Sequence, residues 1–372
     1  MNMQEIWEAS PDYIEIEEYV RRNEFRSVFL VCDKAFSCLR VGNYLKRLSE
    51  RVGIDIIKFD GFHPNPDYES VVQGVHIFRK NNCDALFAVG GGSAIDVAKC
   101  VKLFSKMEGN GLDGSFLKQT PVKNDVKIFA IPTTAGTGSE ATRYAVVYYN
   151  GEKQSITDES IVPDAVVFDK DAIKTLPLYQ KKATMLDALC HSVESFWSIH
   201  STNESKEYSK EAIRIIFENL DGYLNNEDVS NAQMQRAAYI AGKAINIAQT
   251  TAGHAMCYKL TSLYGIAHGH AAALCVRELW PWMIKNIDNC VDPRGQGYLS
   301  GVFKELARYL DCKTTTEAAE RFRALIDNLK FDQIKIREKD FEILAQSVNT
   351  VRLKNHPVKL DANDIDRLYH GI

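Results

Sequence analysis

One aspartate and three histidines in this chain are spaced as the ligands of a single metal ion. Asp187 and His191 lie four residues apart in DALCH, so one face of a helix presents both. His254 follows in TTAGHAM and His268 in GIAHGHA. One carboxylate with three imidazoles is a mixed oxygen and nitrogen set suited to Fe(II) or Zn(II). Each histidine has glycine or alanine close by, which leaves room for a metal and a substrate. His270 rivals His268, since only one imidazole of HGH need ligate. The other six of the nine histidines read as ordinary core or surface residues, and residue chemistry alone leaves the four-ligand set open against that plainer reading. Cys190 and Cys257, near the ligands in sequence, are expected to be packing residues.

A second constellation stands upstream. Gly90, Gly91, Gly92 and Ser93 end an apolar run and open the helical pattern AIDVAKCVKLF. Glycines let the backbone approach a pyrophosphate closely, and the first amides of the helix favour the anion. Ser93 and the turn amides are the natural donors. Asp96 either orients the ribose or nicotinamide side or merely complements the helix dipole. The loop Pro132–Glu140, PTTAGTGSE, interleaves small hydroxyl residues with glycine and could line a nucleotide, although many such loops are only turns. Asp33 closes the first long apolar run. Its carboxylate suits ribose hydroxyls and would repel a 2′-phosphate, and it suits a helix N-cap equally well. A dinucleotide near a Lewis-acidic metal points to hydride chemistry on a carbonyl or alcohol.

These residues need two kinds of scaffold. Apolar runs at 27–33, 54–60, 84–92, 126–134, 143–149 and 164–169 alternate early on with helical patterns, a rhythm expected of a parallel sheet with crossover helices. After Leu176-Pro177 the pattern turns helical, as in KEAIRIIFENLDGYL and NAQMQRAAYIAGKAINIAQ. The expected division is an α/β dinucleotide-binding domain over 1–175 and an all-α, metal-binding domain over 176–372. A chain of 372 residues is long enough for two cores. A net charge of −4 gives no reason to expect nucleic acid or an acidic membrane as partner, and no run of about 20 apolar residues is present. Nine cysteines without a CxxC pair, and an acidic N-terminus lacking a signal-peptide core, are expected of a cytoplasmic protein with reduced thiols.

Taken together, GGGSAIDVAK, PTTAGTGSE, DALCHSVES and the later histidine pair resemble the signatures of the iron-dependent alcohol dehydrogenases, in order and at their usual spacing. The resemblance runs from the CDK of residues 32–34 to NDIDRLY near the C-terminus. It implies a dehydroquinate synthase-like pair of domains, with NAD(P) and a divalent metal meeting in the cleft between them. It implies Asp187, His191, His254 and His268 as ligands of Fe(II), with Zn(II) as the alternative. It implies Gly90, Gly91, Gly92, Ser93, Asp96, Thr133, Thr134, Thr137 and Ser139 as the residues that carry the cofactor. Asp33 matches the position where an acid favours NAD over NADP. A homodimer is the expected assembly.

Two departures bear on substrate and proton handling. Many family members carry a further histidine four residues after the third ligand, and here that position is Tyr258. The proton is then expected to pass through Tyr258, through water or through the ribose, while His268 serves the chemistry as a ligand. Arg143 stands where members acting on plain alcohols commonly have an uncharged residue. With Lys153, Arg352 and Lys354 it resembles the phosphonoacetaldehyde reductase branch, in which a dianionic aldehyde needs cationic donors. The competing reading makes these cations surface charges or structural ion pairs. The expected activity is reduction of a small aldehyde by NADH, with phosphonoacetaldehyde the favoured substrate and plain short-chain alcohols the alternative. A dehydroquinate synthase-type lyase and a non-catalytic nucleotide-binding relative are the rivals.

Overall fold

The computed structural model describes residues 4–348 and 353–372, and these divide into two compact units. The first comprises the chain up to Leu176 together with Asn226–Tyr239. Its strands are β1 (Glu5–Glu8), β2 (Ser27–Cys32), β3 (Asp55–Phe59), β4 (Ala85–Gly90), β5 (Lys127–Pro132), β6 (Tyr144–Tyr149), β7 (Glu152–Thr157) and β8 (Ala165–Phe168). Its helices are α1 (Ile14–Arg22), α2 (Arg40–Val52), α3 (Tyr68–Lys80), α4 (Gly92–Phe104) and α5 (Lys170–Lys174). Six strands form one parallel sheet in the order β1-β8-β5-β4-β2-β3. Every residue of SVFLVC in β2 and ALFAVG in β4 is buried, as strands covered on both faces require. Phe29, Leu86 and Ile128 face one core with Val71, Val75, Val97 and Val101 of α3 and α4. Val28, Leu30, Phe87 and Phe129 face the other with Ile16, Val20, Leu45 and Leu48 of α1 and α2.

The run at 143–149 does not join this sheet. It becomes β6 and pairs antiparallel with β7, Tyr149 opposite Glu152. Asn150 and Gly151 both take positive φ, 52° and 76°, the combination a two-residue hairpin turn needs to match strand twist. An Asn-Gly step therefore folds this run back onto β7 as a separate hairpin.

A single cut near residue 175 also misses a return of the chain. Residues 226–239 belong with the first unit, held there by side chains. Asp228 pairs with Lys170 and Lys174, Gln235 donates to the Pro132 carbonyl at 3.1 Å, and Tyr239 donates to Gln4 at 2.7 Å.

The second unit, Pro177–Asn225 with Ile240–Ile372, is helical. It contains α6 (Leu178–Trp197), α7 (Asn203–Leu224), the later part of α8 (Asp228–Ala248), α9 (Ala252–Tyr264), α10 (His268–Lys285), α11 (Gln296–Tyr309), α12 (Thr315–Asn328), α13 (Phe341–Gln346) and a last helix over Ala362–His370. From Met185 to Trp197 every residue of α6 is buried, so this helix runs through the centre of the unit. It packs against α7 and α10, and α10 packs in turn against α9 and α12. Among the described residues no helix is long and apolar enough to cross a membrane.

Candidate metal centre and dinucleotide cradle

Asp187, His254 and His268 come from α6, α9 and α10, and each presents a ligand atom within 4.8 Å of the others. Asp187 and His254 are each only 2% exposed. Burial alone would raise the Asp187 carboxyl, but the charges of His191, His254 and His268 hold it well below the usual carboxylate range. A buried anion facing converging imidazole nitrogens fits a divalent cation by donor chemistry and by charge. His191 lies beside this trio. Its Nε2 is 3.8 Å from Asp187 Oδ1 and its ring stacks on His254 with centroids 4.6 Å apart. The four side chains expected together do meet, three of them in one tight cluster.

The residues around the trio differ in their contacts. His270 turns away from it: Nδ1 is 3.3 Å from the Tyr179 hydroxyl and the ring stacks on Phe331 at 3.9 Å. One turn of helix cannot aim positions 268 and 270 the same way. Tyr258 is half-buried and stacks almost parallel on His268, centroids 5.3 Å apart. Cys257 does more than pack, since its Sγ donates to the His254 carbonyl and lies 3.5 Å from His268 Nδ1. Glycine at 253 and 269 serves helix packing rather than leaving space for a metal. A Cβ on Gly269 would meet the Ala183 carbonyl oxygen at 2.1 Å, and one on Gly253 would meet Val276 at 2.4 Å. Glu194, which the sequence did not flag, is fully buried and touches His254 Nδ1 through Oε2. It stands seven residues after Asp187, on the face that carries Asp187 and His191, and that periodicity was the available signal.

In the first unit the two polar loops meet. Gly91 is the N-cap of α4 and no side chain caps that helix, so its first amides remain for an anion. A Cβ on Gly92 would lie 2.8 Å from Thr137, and one on Gly91 would lie 3.1 Å from Thr134. Only glycine lets the turn approach this closely. Thr133 donates through its amide to the Gly90 carbonyl at 3.0 Å. Ser93 accepts from the Asn65 amide at 3.2 Å. Asp96 accepts from Ser139 Oγ at 2.7 Å and the Val146 amide at 3.1 Å, which ties the start of α4 to the second polar loop.

Lys99, one turn further along α4, is fully buried and donates to the carbonyls of Ser139, Thr142 and Tyr144 at 2.6–2.8 Å. Burial pushes its ammonium down to about 8, against the pull of Asp96 and Glu140. Asp96 and Lys99 together hold the 139–146 loop rigid. Asp33 caps the short turn after β2, accepting from the Ala35 amide at 2.9 Å. Its Oδ2 would lie 3.0 Å from a Cβ on Gly90, so the carboxylate stands at the edge of the glycine turn. The N-cap and cofactor readings of Asp33 are therefore compatible.

Of the cations expected to form one pocket, Arg143 and Lys153 belong to the first unit. Arg143 Nη1 is 2.5 Å from Glu159 Oε1 and Nη2 is 3.2 Å from the Tyr144 hydroxyl. Lys153 lies on β7, close enough to Asp96 to stabilise that carboxylate. Lys354 is an exposed residue of the second unit. Arg352 lies outside the described residues.

Comparison with known proteins matches both halves of the chain to one family. Residues 10–170 match the family model for iron-containing alcohol dehydrogenase, and residues 181–372 match the C-terminal model of the Fe-containing alcohol dehydrogenase family. The chain is 31% identical over 348 residues to alcohol dehydrogenase 4 of Schizosaccharomyces pombe, covering 89% of this chain and 78% of that protein. It is 32% identical over 316 residues to the phosphonoacetaldehyde reductase of Streptomyces viridochromogenes, covering 81% and 79%. The crystal structure of a sulfoacetaldehyde reductase from Bifidobacterium kashiwanohense in complex with NAD+ superposes with a TM-score of 0.86 at 25% identity, over 100% of this chain and 97% of that one. With both halves of the chain matched, it belongs to the iron-containing alcohol dehydrogenase family.

Proposed function

We propose that this oxidoreductase uses NADH and a divalent metal, Fe(II) by family, to reduce a small aldehyde that carries an oxyanion, phosphonoacetaldehyde foremost. The observation that carries the reading is the convergence of Asp187, His254 and His268 on one buried point. When bound, the metal supplies Lewis acidity toward a carbonyl oxygen and the reduced nicotinamide supplies the hydride. The chain's own residues do the rest. Asp187, His254 and His268, with His191 beside them, hold the cation in a site where burial strengthens its field. The amides of the Gly91–Ser93 turn hold the pyrophosphate, and Asp96 and Lys99 fix the facing loop. Tyr258 is the side chain assigned to giving the substrate's former carbonyl oxygen the proton that completes the alcohol, from its stacked position on His268.

Asp33 is assigned the choice of dinucleotide. NADH is expected to be preferred over NADPH, because a 2′-phosphate would meet this carboxylate. Asp33→Asn keeps an acceptor for the Ala35 amide and removes the charge. It is expected to narrow the preference by about 1–3 kcal/mol, the scale of a close charge pair at moderate screening. The ratio of kcat/KM for the two cofactors measures this, and a parent enzyme that already prefers NADPH would refute the role given to Asp33.

The oxyanion assignment draws on two relatives named for acetaldehydes bearing an acidic group, and on Arg143 and Lys153 in the loop and hairpin that follow the cofactor residues. Glu159 holds the Arg143 fork in place, and a substrate phosphonate would compete for it. Phosphonoacetaldehyde is expected to be reduced with much higher kcat/KM than propanal. Arg143→Ala is expected to cost about 2–4 kcal/mol with the phosphonate, as for truncated charge pairs in a desolvated site, and little with propanal. Equal losses with both substrates would leave Arg143 as the structural partner of Glu159. The second reading, a general short-chain alcohol dehydrogenase, would then be preferred, and the existing Arg143–Glu159 pair is the observation in its favour.

A further inference from the structure

We infer that Glu194 is a positioning residue of the metal centre, fixing which imidazole nitrogen of His254 faces Asp187 while serving as the cap of α9. The inference rests on the metal site proposed above.

Helix α9 needs an external cap. Its N-cap residue, Thr251, makes no side-chain cap hydrogen bond of its own. Glu194 supplies the acceptor from α6 instead. Its Oε1 accepts from the Thr251 amide at 3.0 Å, Thr251 Oγ1 at 2.6 Å and the Gly253 amide at 3.0 Å, with the His254 amide at 3.4 Å. Trp197 Nε1 donates to Thr251 Oγ1 at 3.0 Å, which orients that hydroxyl toward the carboxylate. A Cβ on Gly253 would lie 3.1 Å from both Cδ and Oε1 of Glu194, so the first turn of α9 is wrapped closely around the carboxylate. A buried anion at a helix N-terminus, accepting several amides, is stable there and immobile.

The second oxygen has a different task. Oε2 is in contact with His254 Nδ1. An ionised carboxylate can only accept, so Nδ1 must carry the hydrogen. Nε2 is then the nitrogen left to ligate a cation, and it is the one 3.4 Å from Asp187 Oδ1. Without Glu194 the ring has no reason to prefer this tautomer or this rotation. Outer carboxylates of this kind orient a ligating imidazole and raise its basicity, and their loss typically weakens metal binding by about 10- to 100-fold.

The test uses the full chain, stripped with chelator and titrated with Co(II), with metal analysis and the visible Co(II) spectrum as readouts. Glu194→Gln is expected to weaken Co(II) binding by about 10- to 100-fold and to change the spectrum. Thr251→Val, which removes the hydroxyl between Trp197 and Glu194 Oε1 but leaves Oε2 on His254, is expected to lower the Tm while leaving affinity and spectrum as in the parent. In the zinc-loaded parent, the imidazole ¹⁵N resonances of His254 are expected to show a protonated Nδ1, a measurement that does not depend on any variant folding. Parent-like affinity and spectrum in Glu194→Gln would overturn the inference and leave the metal centre standing. So would equal losses of affinity in Thr251→Val and Glu194→Gln, or a proton on Nε2 in the zinc-loaded parent. A parent that takes up no Co(II) would overturn the metal centre itself, and this inference with it.

Discussion

His268→Ala is expected to lose most bound metal and nearly all turnover while the protein stays folded. The side chain is the first residue of α10 and one of three that converge on the proposed site. Its removal takes one of the three donors of the tight cluster, leaving Asp187 and His254 with only His191, 3.8 Å from Asp187, beside them. The neighbouring His270→Ala is expected to keep its metal. His270 packs against Tyr179 and Phe331, and burial pushes its imidazole down to about 4, so it is a neutral core residue near pH 7. Losing it should cost stability by about 1–3 kcal/mol, as for other buried truncations, with little change in metal content. Metal analysis and thermal denaturation of both variants provide the comparison. A His268→Ala protein that binds as much metal as the parent would sink the ligand assignment.

Gly269→Ala is expected to damage the same site without touching a ligand. The added Cβ would fall 2.1 Å from the Ala183 carbonyl oxygen and 2.6 Å from Asp187 Cβ. Backbone cannot yield as a flexible side chain does, so α10 must move off α6. His268 and Asp187 sit on opposite sides of that contact and would separate. The expected result is a loss of about 1–3 kcal/mol in stability together with most of the bound metal and at least tenfold in kcat/KM. Gly301→Ala in α11 is the control, because its Cβ would meet nothing within 4 Å and alanine favours helix. Metal retention in Gly269→Ala equal to that of the Gly301→Ala control would show that the α6–α10 approach does not set the ligand spacing.

Both outcomes bear on how much was legible in the residues themselves. Local spacing is readable because helices and strands have fixed periods. Asp187 and His191 at i and i+4 share a helix face, and three glycines between a buried strand and a helix make a turn with exposed amides. The parallel sheet followed from the alternation of apolar runs with helical patterns, and the helical second half from its periodicity. Where the whole pattern matched known signatures, distant histidines could be joined to the pair before any coordinates.

Contacts far apart in the chain were decided by packing alone. Only the approach of α6 to α9 reveals that Glu194 accepts from Thr251, Gly253 and His254. Residue chemistry alone left His268 and His270 as rivals and only the resemblance chose His268, because the setting of His270 depends on Tyr179 and Phe331 lying on one side of α10. Neither could show that Glu159 holds Arg143, that Asp96 and Lys99 brace a loop some forty residues on, or that residues 226–239 return to the first unit. A single side chain's type states what it can donate or accept, whereas its partner is chosen by the burial of whole helices and strands. The chemistry of this protein was therefore written in its local motifs, and the supports that hold that chemistry in place arose only when the elements packed.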